Sequence, residues 1–371
     1  MTSLEEIIRR AAREAGFALA GFARVERLGD REEFFSRWLA EGRQGSMSYL
    51  ARDPQRRLDP RAMDPRFRTI VSLGWTYDPP PRPRADWRLE LRGRIAAYAM
   101  GRDYHDVVLK AARRVAAQIE SNRPGAVTRT YVDTGPVFER EWAARAYLGW
   151  VGRNTMLLTR DRGSYFFLAE IFTDVELDAA DAPYRDHCGT CRRCLDLCPT
   201  GALADGHLME PRVCISYLTI ENRGPIPRDL RPKIGMWLFG CDICQEVCPW
   251  NEAGRDDDDY GLMPYLPDVM ALDDAAFAAR FTKSAVKRAK RRGLLRNAAV
   301  VLGNTGNRDA VAALARTMDR EPEALVRSHS AWALGELGGS AARRALESAL
   351  RRETDAAVVE EIRAALARIA S

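Results

Sequence analysis

Outside the segment Cys188–Cys248 the 371-residue chain has no cysteine, and all eight of its cysteines lie within it. That confinement, in a sequence with no sign of export, excludes a disulfide framework spread through the protein and favours metal ligation. Long apolar runs are also missing. None reaches the roughly 18 to 20 residues that a membrane helix needs, and the N-terminal MTSLEEIIRRAAREAG sets acids where a signal peptide would be apolar. A cytoplasmic protein without membrane attachment is therefore expected. No GxGxxG turn, P-loop, HExxH or GxSxG occurs, which argues against nicotinamide and nucleotide enzymes of those types. With 46% hydrophobic residues, 29% charged residues and a net charge of only +5, the composition is that of a soluble globular chain, and bulk charge selects no partner.

The length allows two or three domains, each with its own core. Ser3 and Glu6 stand in capping-box spacing, and Leu4, Ile7, Ile8, Ala11 and Ala12 share one helical face, which predicts an amphipathic helix over 3–15. The β-rich runs TIVSLGWTY (69–77), RIAAYA (94–99), AVTRTYV (126–132) and SYFFLAEIF (164–172) alternate with helical patterns, the longest at about 106–120, so an α/β domain follows. Between them DPPPRPRADW (78–87) reads as an irregular connection stiffened by proline. From about 285 the chain turns to alanine- and leucine-rich helices in which VLGNTG (301–306) recurs 32 residues later as ALGELG (333–338), and Leu334 is repeated at Leu366. Such a period predicts stacked helical hairpins of the HEAT type, with an ordinary helical bundle as the plainer alternative. The expected fold is a multidomain protein of mixed α/β and α+β character: an α/β domain at 1–180, a ferredoxin-like cysteine domain at 181–260, and helical HEAT-like repeats at 261–371.

In Cys188-x2-Cys191-x2-Cys194-x3-Cys198-Pro199 the spacing is that of the bacterial ferredoxin run, in which three thiolates hold one [4Fe-4S] cubane and the fourth serves the other. Cys241-x2-Cys244-x3-Cys248-Pro249 repeats the end of that pattern with Leu238 in place of its first cysteine, and Cys214 is the thiol left to complete a second set. Cys188, Cys191, Cys194 and Cys248 are accordingly assigned to one cluster, and Cys198, Cys214, Cys241 and Cys244 to the other. Two four-thiolate zinc sites are the alternative, although those usually employ separated C-x2-C knuckles. Clusters held in this way carry one electron at a time at low potential, on the order of −400 mV in ferredoxins.

Clusters alone would make an electron carrier, which has no need of the large domain ahead of them. In that domain RTYVDTGPVFERE (129–141) sets Asp133 between a predicted strand and a helix, where open α/β sheets carry ligands and catalytic groups. The acid can donate a proton there, or merely cap the turn with Thr134 and Gly135. GRDYHDV (101–107) brings Tyr104 and His105 to a similar passage, as pocket lining or as structural residues. His187, beside Cys188, can bond a cluster sulfur or occupy a simple turn. In RFTKSAVKRAKRRGLLR (280–296) eight of seventeen residues are basic and none is acidic, which suits a phosphate backbone better than an ordinary solvated face.

GRIAAYAMGRDYHDVV, YVDTGPVFEREWAARAYLGWVGRNT, SYFFLAEI, HCGTCRRCLDLCPTGA, RVCISYLTIENRG, FGCDICQEVCPWN and KRAKRRGLLRNAAVVLGNTG together resemble the epoxyqueuosine reductases over nearly the whole chain. The cysteine pattern alone recurs in many ferredoxin-like proteins, whereas its combination with SYLTIENRG and the HEAT-like tail is far more specific. The resemblance implies a cobalamin-dependent enzyme, with a corrinoid-binding α/β domain joined to two [4Fe-4S] clusters. Its reaction removes the epoxide oxygen of epoxyqueuosine at the wobble position of a tRNA anticodon, the last step to queuosine. It further implies a corrinoid bound base-off, with which the lack of a DxHxxG motif agrees. Asp133 becomes the general acid that protonates the departing oxygen, its proton retained near neutral pH by desolvation.

By the same resemblance Arg57, Tyr98, Asn154, Ser216 and Asp242, with Asp133, are the expected corrinoid contacts, and Glu221, Asn222, Arg223, Lys287, Arg288, Lys290, Arg291 and Arg292 the expected tRNA contacts. The implied partners are tRNA carrying epoxyqueuosine and a low-potential electron donor that the sequence does not identify; a monomer is expected. Two other classes compete. An electron-transfer module docking a partner protein through its helical repeats would bind no corrinoid and would keep its redox role in Asp133→Ala. A zinc-stapled RNA-binding protein would be colourless.

Overall fold

The computed structural model describes residues 2–79, 82–83, 86–179, 184–205, 207–251, 256–257 and 263–370. The chain forms two compact units, the first made of Met1–Pro79, Arg102–Pro211 and Ile243–Ala253, the second of Pro80–Gly101, Arg212–Asp242 and Gly254–Ser371. The cysteine segment is thus shared between the two, and the C-terminal helices fall in one unit with Arg212–Asp242. Part of the proline-rich connection at 78–87 lies outside the described residues. Among the described residues no helix is long and apolar enough to cross a membrane.

The first unit is built on a four-stranded sheet of β1 (Leu19–Arg24), β2 (Thr69–Thr76), β3 (Thr128–Tyr131) and β4 (Phe166–Thr173), in the order β1-β2-β4-β3. Every pairing is antiparallel, so Asp133 is positioned by the turn that follows β3 and not by the ligand-bearing edge of an open parallel sheet. Successive residues of β4 point to opposite faces, and both faces are covered. On one, α1 (Leu4–Ala15) and α2 (Tyr104–Asn122) pack Ile8, Ala12, Val108, Ala112 and Val115 against Val71, Leu73, Ala169 and Ile171. The predicted capping box starts α1: Glu6 N–H donates to Ser3 Oγ, and Ser3 N–H donates to the Glu6 carboxylate, each at 3.2 Å. On the other face α3 (Glu139–Arg145) buries Trp142 among Phe35, Phe67, Leu148 and Phe172.

In the second unit the run RIAAYA forms only the two-residue strand Arg94–Ile95, followed by a single 3-10 turn at Ala97–Ala99. The helical repeats comprise α4 (Lys290–Thr305), α5 (Val311–Arg320), α6 (Ala324–Leu337), α7 (Gly339–Leu350) and α8 (Ala356–Ala370). Their 32-residue period has a packing cause. A Cβ on Gly303 of α4 would lie 3.0 Å from the Ala333 Cα of α6, and a Cβ on Gly335 of α6 would lie 2.9 Å from the Ala365 Cα of α8. Each glycine lets its helix approach the backbone of the equivalent helix one repeat on, as stacked repeats require.

Candidate functional site

The chain leaves β3 through Val132 into a turn in which Asp133 adopts a left-handed conformation, φ +51°, a region that aspartate tolerates better than most residues. Two consecutive residues at the start of α2 meet its side chain. Tyr104 donates its hydroxyl hydrogen to Asp133 Oδ2 at 2.6 Å, and His105 Nε2 lies 3.6 Å from the same oxygen. Both are held in place from behind. The Tyr104 ring stacks on Phe167 of β4 at 4.2 Å, and Asp103, the N-cap of α2, sits 2.6 Å from His105 Nδ1 while accepting the His105 backbone N–H. On the backbone side, Asp133 N–H donates to Glu139 Oε1 at 2.5 Å. Arg57, 7% exposed, reaches the Gly135 carbonyl at 3.5 Å and the Tyr49 carbonyl at 3.3 Å and leaves its buried Nε unpartnered.

The charges of this group differ from the sequence expectation. Burial pushes the Asp133 carboxyl up, but the hydrogen bonds and charge of His105, with the Tyr104 hydroxyl, outweigh it and hold the acid below its ordinary value. Burial alone would push the His105 imidazole down; Asp133 and Asp103 reverse this and raise it. Glu139 is the acid that burial and the neighbouring Asp133 carboxylate push up, to about 8. The three groups thus shift in different directions: Asp133 toward its carboxylate, His105 toward its imidazolium and Glu139 toward its neutral acid. Desolvation prevails only at the second acid of the turn, Glu139; at Asp133, whose side chain is 61% exposed, its partners outweigh it.

In the same unit Cys188, Cys191, Cys194 and Cys248 line one cavity of about 360 Å³ together with Arg153, His187 and Trp250. Short helices, Arg193–Asp196 and Ile243–Glu246, each lead into a Cys-Pro pair. Burial and the facing thiols of Cys248 and Cys188 push the Cys194 thiol up to about 11, and burial likewise raises Cys188 and Cys248. Four thiols gathered in such a hollow become stable thiolates only when positive charge is placed among them, as iron does. The hollow is also far larger than a single ion needs, so its size and donor set fit a cubane. His187 does not turn toward a sulfur: its ring nitrogens lie 3.2 and 3.4 Å from Arg160, and Cys188 Sγ instead accepts the Arg153 backbone N–H at 3.5 Å. Of the second quartet, Cys198 and Cys244 belong to the first unit and Cys214 and Cys241 to the second.

The other expected site residues are placed as follows. Asn154, 3% exposed, donates to the Cys244 carbonyl and accepts the Met156 N–H, so it braces the cysteine loops. In the second unit Asp242 is buried and accepts the Ala97 N–H at 2.8 Å; Tyr98 and Ser216 are half-buried, the former against Phe239. Arg288 pairs with Glu221 at 2.7 Å while Arg223 donates to the Arg288 carbonyl, and Asn222 bonds Pro225 and Gly224 within its own turn. Arg291 is held by Glu321 at 2.5 Å and by the Leu272 carbonyl, whereas Lys287, Lys290 and Arg292 are exposed. Arg296, the last residue of the basic run, is 0% exposed and donates to the carbonyls of Leu218, Asn222 and Gly224. It builds the SYLTIENRG turn from beneath, and nucleic acid does not reach it.

Comparison with known proteins covers the whole arrangement. A family profile described as Epoxyqueuosine reductase QueG, DUF1730 matches residues 57–134, one described as 4Fe-4S double cluster binding domain matches 187–251, and HEAT repeats match 283–367. The cysteine segment therefore binds iron–sulfur clusters, and the C-terminal helices are HEAT repeats. An epoxyqueuosine reductase of Xanthomonas campestris pv. campestris is 41% identical over 342 residues, covering 89% of this chain and 95% of its own. One from Pseudomonas aeruginosa is 38% identical over 343 residues, covering 90% and 95%. Among solved structures, an epoxyqueuosine reductase with an epoxyqueuosine-modified tRNA-Tyr stem loop matches with a TM-score of 0.90 at 30% identity, covering 99% of both chains. The Bacillus subtilis enzyme, with its catalytic aspartate loop swung out of the active site, matches at 0.87 and 29%, again over 99% of both. The chain belongs to the epoxyqueuosine reductase family.

Proposed function

We propose that the protein reduces epoxyqueuosine to queuosine in tRNA, with Asp133 as the acid that protonates the departing epoxide oxygen. The observation that carries this reading is the convergence of Tyr104 and His105 on one oxygen of Asp133, which leaves Oδ1 without a partner among the described residues. An electron carrier has no use for that network. The conversion consumes two electrons and two protons and yields alkene and water. Bound clusters would supply electrons one at a time, and cobalamin, base-off as the resemblance implies, would supply a low-valent cobalt centre. This chain's own residues supply and place the protons. When substrate covers Asp133 and removes the water that reaches it, its carboxyl is pushed up, and a proton carried by His105 Nε2, 3.6 Å away, has Oδ2 as its acceptor. Oδ1 or Oδ2 then delivers the first proton to the oxygen as its carbon bond breaks, and the second, taken up from solvent by the same carboxylate, lets the oxygen leave as water.

Arg57 fits a corrinoid contact, because its unpartnered buried Nε is a donor free for an amide or phosphate of such a ligand. Tyr98 and Ser216 stay candidates on their half-buried positions. Asn154 and Asp242 already use polar atoms within the protein, which favours bracing as their part. We assign Cys188, Cys191, Cys194 and Cys248 to one cluster and Cys198, Cys214, Cys241 and Cys244 to the other, with an external low-potential donor and a cytoplasmic monomer as the working state. The test is nucleoside mass spectrometry of epoxyqueuosine-containing tRNA after anaerobic incubation with reconstituted protein and strong reductant. Queuosine is expected only when cobalamin is present, and Asp133→Ala is expected to lower the rate by about 10² to 10⁴-fold, the usual worth of a general acid. Wild-type protein with loaded clusters and cobalamin that yields no queuosine would overturn the reading.

A further inference from the structure

The turn that carries Asp133 is anchored at three places, and the anchors act on different atoms. Tyr104 and His105 hold the side chain at Oδ2. Arg57 holds the Gly135 carbonyl, and Gly135 itself lies so close over the Tyr131 ring that a Cβ there would sit 2.3 Å from it. Among the described residues Glu139 alone takes the backbone N–H of Asp133, six residues ahead of it, at 2.5 Å. The plain explanation of Glu139 is an acid in the first turn of α3, favourable to the helix dipole. A solvated carboxylate would serve that purpose. This one is half-buried, turned back out of its helix, and set beside a second carboxyl that makes its ionisation unfavourable. That cost points to a purpose other than the dipole.

We propose that Glu139 is a positioning residue that latches the Asp133 turn, its carboxyl oxygen fixing the left-handed backbone at Asp133 so that the side chain stays between Tyr104 and His105. The inference rests on Asp133 being the proton donor. A neutral Glu139 is the better latch, since it accepts the N–H through its carbonyl oxygen without opposing the Asp133 carboxylate. An amide at this position can do the same.

The experiment is hydrogen exchange of the peptide covering 133–138, followed by mass spectrometry on the cluster-loaded full chain, for Glu139→Ala and Glu139→Gln, with kcat and KM for modified tRNA measured in parallel. Glu139→Ala is expected to speed exchange in that peptide and to lower kcat on the order of 10²-fold, the loss that follows when a reacting group is misplaced by about 1 Å, with KM little changed. Glu139→Gln is expected to keep wild-type exchange and most of kcat. Unchanged exchange in Glu139→Ala, or Glu139→Gln loosening the turn as much as Glu139→Ala does, would overturn the latch. Exchange needs no turnover, so a wild-type protein inactive on epoxyqueuosine would remove the functional reading and leave the latch standing or falling on its own result.

Discussion

Two donors converge on a single oxygen of Asp133, and that convergence sets where the site keeps its protons. His105 is the more informative partner, because its own state can be read directly. Its imidazole is pushed down by burial and raised by Asp133 and Asp103, with the raising effects dominant. A histidine whose folded pKa is raised gives stability that is fully present below its unfolded value, about 6.5, and is lost as pH rises through the folded value. NMR titration of the His105 ring should therefore place its midpoint above 6.5, and Asp133→Asn should move that midpoint down. A midpoint that ignores Asp133→Asn would remove His105 as the proton store. Asp133 was legible in the sequence only as a candidate, because an acid between strand and helix suits a turn cap as well as a proton donor, and the resemblance, not its position, supplied the second role. The pair Tyr104 and His105 was visible as pocket lining, without its target. Glu139 was not legible, since a contact six residues back follows from a turn and carries no periodic signal. Arg296 was misleading: in a run of one sign nothing marks the cation that points inward, and only its three carbonyl partners reveal it.

Among the elements, the repeat helices give the sharpest test of packing against propensity. Alanine in place of a helical glycine gains about 1 kcal/mol of helix propensity, while forcing an extra carbon into a filled crossing costs typically 1 to 3 kcal/mol. At Gly335 the new Cβ would meet Ala365 Cα at 2.9 Å, and backbone cannot move aside cheaply. The clash wins, and Gly335→Ala should lose stability, by up to about 2 kcal/mol, in denaturant unfolding. Gly293 in α4 is the control: its Cβ would meet only Ala289 at 3.7 Å, so Gly293→Ala should be neutral or gain up to about 1 kcal/mol. Equal effects at the two positions would show that the 32-residue period reflects composition and not close crossings. The period, the capping box of α1 and the long α2 were all readable, because each is a local pattern of fixed spacing. The antiparallel order β1-β2-β4-β3 was not, since ladder partners such as Ser72 and Glu170 lie far apart in sequence. β1 itself, LAGFAR, is too short and too rich in small residues to announce a strand.

For the molecule as a whole, a net charge of +5 over 371 residues leaves tRNA binding to a local cluster of cations, and the structure divides the basic run by what each side chain already does. Lys287, Lys290 and Arg292 are exposed. Arg288 and Arg291 are paired with Glu221 and Glu321, and Arg296 is enclosed. Counterions leave the nucleic acid only where a cation replaces them, and the slope of log K against log salt is roughly −0.7 to −0.9 per phosphate neutralised. Alanine at Lys287, Lys290 or Arg292 should each reduce that slope by about 1 and weaken modified and unmodified stem loops alike, because a phosphate contact carries no base information. Alanine at Arg291 should leave the slope unchanged and cost stability through the Glu321 charge it strands, which is 7% exposed. Arg296→Ala should do the same more strongly, since the buried Leu218 carbonyl and the half-buried carbonyls of Asn222 and Gly224 lose their donor at once. Binding titrations of a tRNA stem loop from about 50 to 200 mM salt, beside unfolding curves of the same variants, separate the two groups. A slope reduced equally by Lys287→Ala and Arg291→Ala would mean that the Arg291–Glu321 pair opens to bind RNA, and that the division into binding and bracing cations is wrong.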